Sequence, residues 1–276
     1  MQTQPIGVFD SGVGGLSVLR ELRALLPHED YLYVADQAHV PYGLRSLEEV
    51  RQFCFGIADY LLRRRVKMIV VACNTASAAA LTQLRKAHTG IPFVGMEPAI
   101  KPAAEQSLRG VIGVIATPAT FQGELFASVV HRYARGVRVL QHTCTGLVEK
   151  IEAGETGGPA LEAMLRTQLQ PLLDAGIDEL VLGCTHYPFA ARALQSIFGP
   201  GVKIIDPAPA VARQVKRRLA GKHAQARPGG GRMEFLTSGS ADSFARIIHQ
   251  LLGEEAAVRQ LKWSLDAGGV AALSEG

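Results

Sequence analysis

"GVFDSGVGGLSV", residues 7–18, sets how the chain is read. An apolar strand ends at Phe9, Asp10 and Ser11 follow, glycines stand at 12, 14 and 15, and apolar residues then recur at helical spacing. Strand, glycine turn and helix make a cradle in which backbone N–H groups and a helix N-terminus meet an anion. Asp10 stands at the mouth of this one, where it would repel a phosphate. The stretch therefore predicts an α/β unit with an anion-binding edge, and it asks why a carboxylate belongs there.

The same pattern repeats outward. Short apolar runs lie at 6–9, 31–35, 68–72, 93–96, 111–116, 137–141, 179–183, 203–206 and 233–236, with amphipathic stretches such as 46–66 and 159–175 between them. The runs show little polar alternation, as expected of buried parallel strands separated by helices. Nine strands are many for one open sheet, so two α/β domains are expected. An internal echo agrees: "MIVVACNTAS" (68–77) and "ELVLGCTHYP" (179–188) each place a cysteine and small polar residues after an apolar strand. Ligands of open α/β sheets bind beyond the carboxyl ends of the strands. Each cysteine thus falls on the functional edge of its own half, and a shared cleft would bring the two sulfurs together.

Composition narrows the classes of function. Of 276 residues, 29 are basic and 25 acidic, and a net charge of +4 is too mild to imply a nucleic-acid partner. "RRRVK" (63–67) and "VKRR" (215–218) read as solvated helix ends. "MQTQPIGVFD" lacks the pattern of a signal peptide. The uncharged run from Met68 to Leu84 carries Asn, Thr, Ser and Gln and is no membrane span. A cytoplasmic protein with no membrane partner is expected. "ARPGGGRM" (226–233) reads as an exposed loop and "SLDAGGVAALSEG" (264–276) as a loosely ordered tail.

The four cysteines have no C-x-x-C spacing and, in a reducing compartment, no call to form disulfides. Cys54 falls in a helical stretch and reads as a core residue, and Cys144 as structural. Cys73 and Cys184 are different. A helix starting beside either sulfur would lower the thiol pKa from about 8.5, and Asn74, Thr75, Thr185 and His186 add donors. Three chemistries fit. A nucleophile activated by His186 leaves Cys73 without a task, and a metal bound by Cys184 and His186 lacks further ligands. Paired acid–base work, with one thiolate removing a proton and the opposite thiol donating one, uses both. Inverting a stereocentre needs that.

"FDSGVGGLSV" (9–18), "PYG" (41–43), "ACNTAS" (72–77) and "GCTHYP" (183–188), in this order, resemble the glutamate racemase family of the aspartate/glutamate racemase superfamily. The likeness continues through "GVIATPAT" (113–120), "CTGLVEKIEAGE" (144–155), "IIDPA" (204–208) and "FLTSG" (235–239). "HVPYG" and "CTGLVEKIE" depart from the commonest family forms. No long extension precedes "IGVFD", so the regulation by a cell-wall nucleotide precursor that goes with such an extension is not expected.

The resemblance implies two α/β domains with mostly parallel sheets, related by a pseudo-twofold, with the substrate between them. The first would comprise 1–97 and 211–276, the second 98–210. It implies cofactor-independent, metal-free conversion of L-glutamate to D-glutamate for peptidoglycan, by Cys73 and Cys184. Asp10 would assist the first cysteine, and His186 and Glu152 the second, which acts on the L-isomer. Glu152 is preferred to Glu149 and Glu155 because the family's E-x-G falls at Glu152–Ala153–Gly154. Substrate contacts would come from Asp10, Ser11, Tyr42, Gly43, Asn74, Thr75, Thr117, Thr120, Thr185 and His186. The expected partner is a small-molecule substrate, and the assembly a homodimer. A zwitterionic ligand would answer the opening question, its carboxylates on backbone amides and its ammonium near Asp10. The rival readings are an aspartate racemase or other superfamily member, a cysteine hydrolase, and a non-catalytic amino-acid-binding protein.

Overall fold

The computed structural model describes residues 4–221, 224–226, 229, 231–265 and 271–275. Its first part runs β1 (Ile6–Asp10), α1 (Leu16–Leu25), β2 (Tyr31–Ala35), α2 (Leu47–Arg63), β3 (Met68–Val71), α3 (Asn74–Ala87) and β4 (Phe93–Gly95). Next come α4 (Ile100–Gln106), β5 (Val111–Ala116), α5 (Pro118–Gln122), α6 (Glu124–Tyr133), β6 (Arg138–His142), α7 (Leu147–Glu152) and α8 (Pro159–Asp174). Then follow β7 (Glu179–Gly183), α9 (Ala191–Phe198), β8 (Lys203–Ile205) and α10 (Ala208–Gly221). The chain closes with β9 (Met233–Thr237), α11 (Ala241–Leu252), β10 (Val258–Leu265) and β11 (Ala271–Glu275).

Local chemistry explains the boundaries. Ser46 and Glu49 exchange the reciprocal hydrogen bonds of a capping box at the start of α2. Pro159 opens α8, where a missing N–H costs nothing. All nine expected strands are present, and β1, β2, β3 and β7 are buried along their whole length. Successive residues of β3 point into different cores: Met68 and Val70 on one face, Ile69 and Val71 on the other.

Two sheets result. The order β11-β10-β9-β2-β1-β3-β4 makes seven strands, and β6-β5-β7-β8 makes four. Every pairing is parallel except β10 with β11. The segments β2-β1-β3-β4 and β6-β5-β7-β8 have the same topology, each strand of the second lying four later in the chain. In both, the order reverses beside the first strand of the set, and the crevice that binds ligands opens there, between β1 and β3 and between β5 and β7. Asp10 ends β1 and Cys73 follows β3; Thr117 follows β5 and Cys184 follows β7.

The tail departs from expectation. Ser264 and Leu265 end β10 and residues 271–275 form β11, while 266–270 and 276 lie outside the described residues. Leu261 and Leu273 are fully buried against the core that holds Cys54, so apolar burial orders a stretch whose glycines suggested otherwise. The loop at 226–233 lies partly outside the described residues; Gly229, Gly231 and Arg232 are exposed. Among the described residues no helix is long and apolar enough to cross a membrane.

Candidate active site

The two crevices face one another across a cleft. Ser11, Pro41, Tyr42, Gly43, Cys73, Asn74 and Thr75 line it from the seven-stranded sheet, and Thr117, Val148, Cys184, Thr185 and His186 from the other. Both thiols are nearly buried, at 5% and 7% exposure, which leaves the cleft as their surface. Asp10, Thr120 and Glu152 stand one layer behind this lining.

The surroundings of the thiols differ. Cys73 caps α3, its Sγ accepting from the Ala76 N–H at 3.5 Å, with Ser11 Oγ at 3.9 Å. The expectation of a lowered thiol pKa fails at this residue. Burial and the Asp10 charge push Cys73 well above the ordinary thiol value and outweigh the helix amide. After Cys184 the expected helix start is a single 3-10 turn, Tyr187–Ala190, with α9 beginning at Ala191. Its electrostatic partner is a side chain instead: His186 Nδ1 lies 3.7 Å from Cys184 Sγ, and His186 Nε2 lies 2.6 Å from Glu152 Oε1. Burial alone would push the imidazole down, but these two hydrogen bonds and the facing charges hold it well above its usual value. Glu152 is reciprocally held low. Its burial opposes ionisation, and His186, the Val13 N–H and Gln37 overcome that.

Asp10 has no exposed surface. Its Oδ1 accepts from the Gly12 N–H at 2.7 Å and from Ser11 Oγ at 3.2 Å, and its Oδ2 from Thr185 Oγ1 at 2.9 Å. It is not the cap of α1, a place taken by Gly15. Burial raises its pKa despite His186 and the donors.

The glycine turn thereby receives an explanation. Gly12 gives its N–H to Asp10, and the Val13 N–H donates to Glu152 Oε1 at 2.8 Å. Two of the cradle's amides thus serve the protein's own carboxylates. A Cβ on Gly12 would come within 1.9 Å of Glu152 Oε1, and one on Gly14 within 2.4 Å of His186 Nδ1. These glycines let the second half approach.

On the opposite side of the cleft, Thr75 Oγ1 lies 2.9 Å from Thr117 Oγ1 and 3.2 Å from Thr120 Oγ1, joining the halves. Asn74 is 3% exposed and neither its Oδ1 nor its Nδ2 has a partner. A buried amide left open in a cleft is suited to a polar ligand. Of the other cysteines, Cys54 is fully buried in α2, and burial pushes Cys144 up to about 12, the setting of an inert thiol.

Several participants are not evident in the chain's motifs. Gln37 donates to Glu152 Oε2 at 3.1 Å, Tyr33 OH donates to Gly12 O at 2.8 Å, and the buried Asp36 accepts from the OH of Tyr42, itself a motif residue, at 2.6 Å. Asp36 and Gln37 directly follow β2, which pairs with β1. Their place at the same sheet edge as Asp10 was the available signal. Among the described residues no group of three or more His, Cys, Asp and Glu side chains is placed to share a metal ion.

Fold and site together define a two-lobed α/β enzyme with a thiol on each side of one cleft. The chain belongs to the Asp/Glu/Hydantoin racemase family, whose model matches residues 6–215. It is 50% identical over 250 residues to a glutamate racemase of Roseiflexus sp. (strain RS-1), covering 90% of this chain and 92% of that one. A glutamate racemase of Pseudomonas aeruginosa (strain PAO1) is 46% identical over 261 residues, 95% of this chain and 98% of that one. The crystal structure of a glutamate racemase isoform from Bacillus anthracis superposes with a TM-score of 0.84 at 35% identity, covering 94% of this chain and 97% of that one. The Francisella tularensis glutamate racemase in complex with D-glutamate also gives 0.84, at 30% identity, covering 97% and 100%.

Proposed function

We propose that this protein interconverts L- and D-glutamate by proton transfer between two thiols, without a metal or pyridoxal phosphate. The observation that carries the reading is the placement of Cys73 and Cys184 after equivalent strands, on the two sides of one cleft. In the L-to-D direction the Cys184 thiolate takes the α-proton and becomes a thiol. The Cys73 thiol delivers its proton to the opposite face of the carbon and becomes a thiolate. Proton exchange with solvent resets the pair, and the reverse direction exchanges the roles. The raised pKa of Cys73 suits it to wait as the proton donor for L-glutamate.

Holding the substrate falls to groups with spare capacity. Asn74, the hydroxyls of Ser11, Thr75, Thr117 and Thr185, and Tyr42 with Gly43 surround the place where carboxylates and ammonium would sit. Fixed dipoles in a cleft lined by buried residues favour the carbanion-like transition state. Asp10 acts through Ser11 and Thr185, Glu152 through His186, and Thr120 through Thr75. In this reading Asp10, Glu152 and Thr120 are positioning residues.

The two lobes are proposed to be 1–97 with 211–276, and 98–210; the return of β9 to the first sheet and the packing of α10 on α1 support this division. A homodimer in the cytoplasm, supplying D-glutamate for peptidoglycan, completes the proposal. The test is incubation with L-glutamate and, separately, L-aspartate in D₂O, following optical rotation and the α-hydrogen, after dialysis against a chelator. Loss of rotation with deuterium uptake is expected for glutamate alone. Activity that requires added metal or pyridoxal phosphate, or that is confined to aspartate, would contradict the proposal.

A further inference from the structure

The chain of contacts behind Cys184 does not stop at Glu152. Its Oε1 is shared by His186 Nε2 and the Val13 N–H, and its other oxygen, Oε2, accepts from Gln37 Nε2 at 3.1 Å. Glu152 ends α7 in one half, whereas Gln37 follows β2 in the other. The amide of Gln37 is itself held. Thr237 Oγ1 accepts the Gly239 N–H at 3.0 Å, so its own hydroxyl hydrogen is free to donate to Gln37 Oε1, 2.9 Å away. With Oε1 turned to Thr237, the NH₂ group must face the carboxylate. Thr237 has no exposed surface, and a Cβ on Gly239 would come within 2.8 Å of Gln37 Cβ. The "TSG" run at 237–239, just past β9, thus receives a task that the cleft lining leaves unassigned.

We propose that Gln37, oriented by Thr237, is a positioning residue that holds Glu152 on His186 and so sets the geometry of the Cys184 side of the reaction. The inference rests on the two-thiol reading above. An NH₂ donor binds the ionised carboxylate more strongly than the neutral acid, so Gln37 favours the charged form of Glu152. The other charged groups facing Glu152 are His186, which supports ionisation, and Asp10, which opposes it. Without Gln37, Glu152 can rotate off His186, and its proton is held more tightly.

The experiment measures kcat and KM in both directions across pH for Gln37→Ala, Gln37→Glu, Thr237→Val and Thr237→Ser. Gln37→Ala is expected to lower the L-to-D kcat by about tenfold, the change for losing one hydrogen bond to a charged group, with less change in KM. The acid limb of its pH profile should move to higher pH, because the ionised carboxylate has lost a donor. Gln37→Glu, which faces one carboxylate with another, should lose more. Thr237→Val should follow Gln37→Ala in part, and Thr237→Ser, which keeps the hydroxyl, should restore the wild-type limb. A wild-type protein that does not interconvert glutamate would overturn the two-thiol reading and this inference with it. Wild-type turnover with an unmoved limb and kcat in Gln37→Ala would overturn the positioning role alone. So would equal losses in Thr237→Val and Thr237→Ser. Should Thr237→Val fail to fold, the Gln37 pair still decides the question.

Discussion

Asp10 shows how a single residue is set against the fold that holds it. Its carboxyl is fully buried and its pKa is raised, chiefly by burial. An acid whose folded-state pKa lies above its unfolded value stabilises the fold only while protonated, and that contribution is lost as pH rises through the folded pKa. The ionised form of Asp10 therefore supports the fold less than the protonated form does. Asp10→Asn should show a Tm at pH 7 equal to or above that of the wild type, with the difference shrinking as pH falls. Its racemase kcat should drop by about tenfold or more, as for a hydrogen-bonding group that orients others. Scanning calorimetry at several pH values beside kinetics checks this, and an Asn variant that melts lower at neutral pH would contradict it. The sequence made Asp10, Cys73 and His186 visible, because each sits where a strand meets small polar residues. It could not reveal that burial would dominate the Cys73 thiol, since desolvation depends on what the second half brings over it.

At the level of elements, the glycine turn and the C-terminal strands teach opposite lessons. The turn's composition was legible at once, but not that its glycines make room for Glu152 and His186 from the second half. Gly12→Ala places a methyl on Glu152 Oε1. Overpacking of this kind costs about 1–3 kcal/mol, and it should also part Glu152 from His186. Lower stability in urea and a kcat reduced at least as far as in Gln37→Ala are expected. An Ala variant with native stability and turnover would show that the turn yields without consequence. The tail was not legible. Trp263, on β10, donates to Asp36 Oδ1 at 2.7 Å, and Asp36 in turn accepts from Tyr42 in the cleft wall. That link joins residues 227 positions apart in the chain, and nothing local beside the glycine-rich tail signals it.

Across the whole molecule, one apolar core passes from the first half into the second, taking in Val8, Val13 and Val70 with Leu147, Ile151 and Leu182. Hydrogen bonds cross the boundary beside it: Ser17 Oγ donates to Thr185 O at 2.9 Å, and Gln250 Nε2 to Gly154 O at 2.7 Å. The repeated strand–cysteine motif foretold two halves and a shared cleft because it records the shared topology. The order of strands that makes the cleft was hidden, since periodicity marks each strand and says nothing of its neighbours. What the architecture accomplishes is to put one thiol on each side of a single cleft, and the proposal that they act on opposite faces of one carbon is open to direct measurement. Cys73→Ala, Cys184→Ala, Cys54→Ala and Cys144→Ala, each incubated with L-glutamate in D₂O, should divide cleanly. The first two should lose racemisation altogether, while Cys54→Ala and Cys144→Ala retain most of it with deuterium entering at the α-carbon. Substantial racemisation by either Cys73→Ala or Cys184→Ala would contradict the two-thiol account.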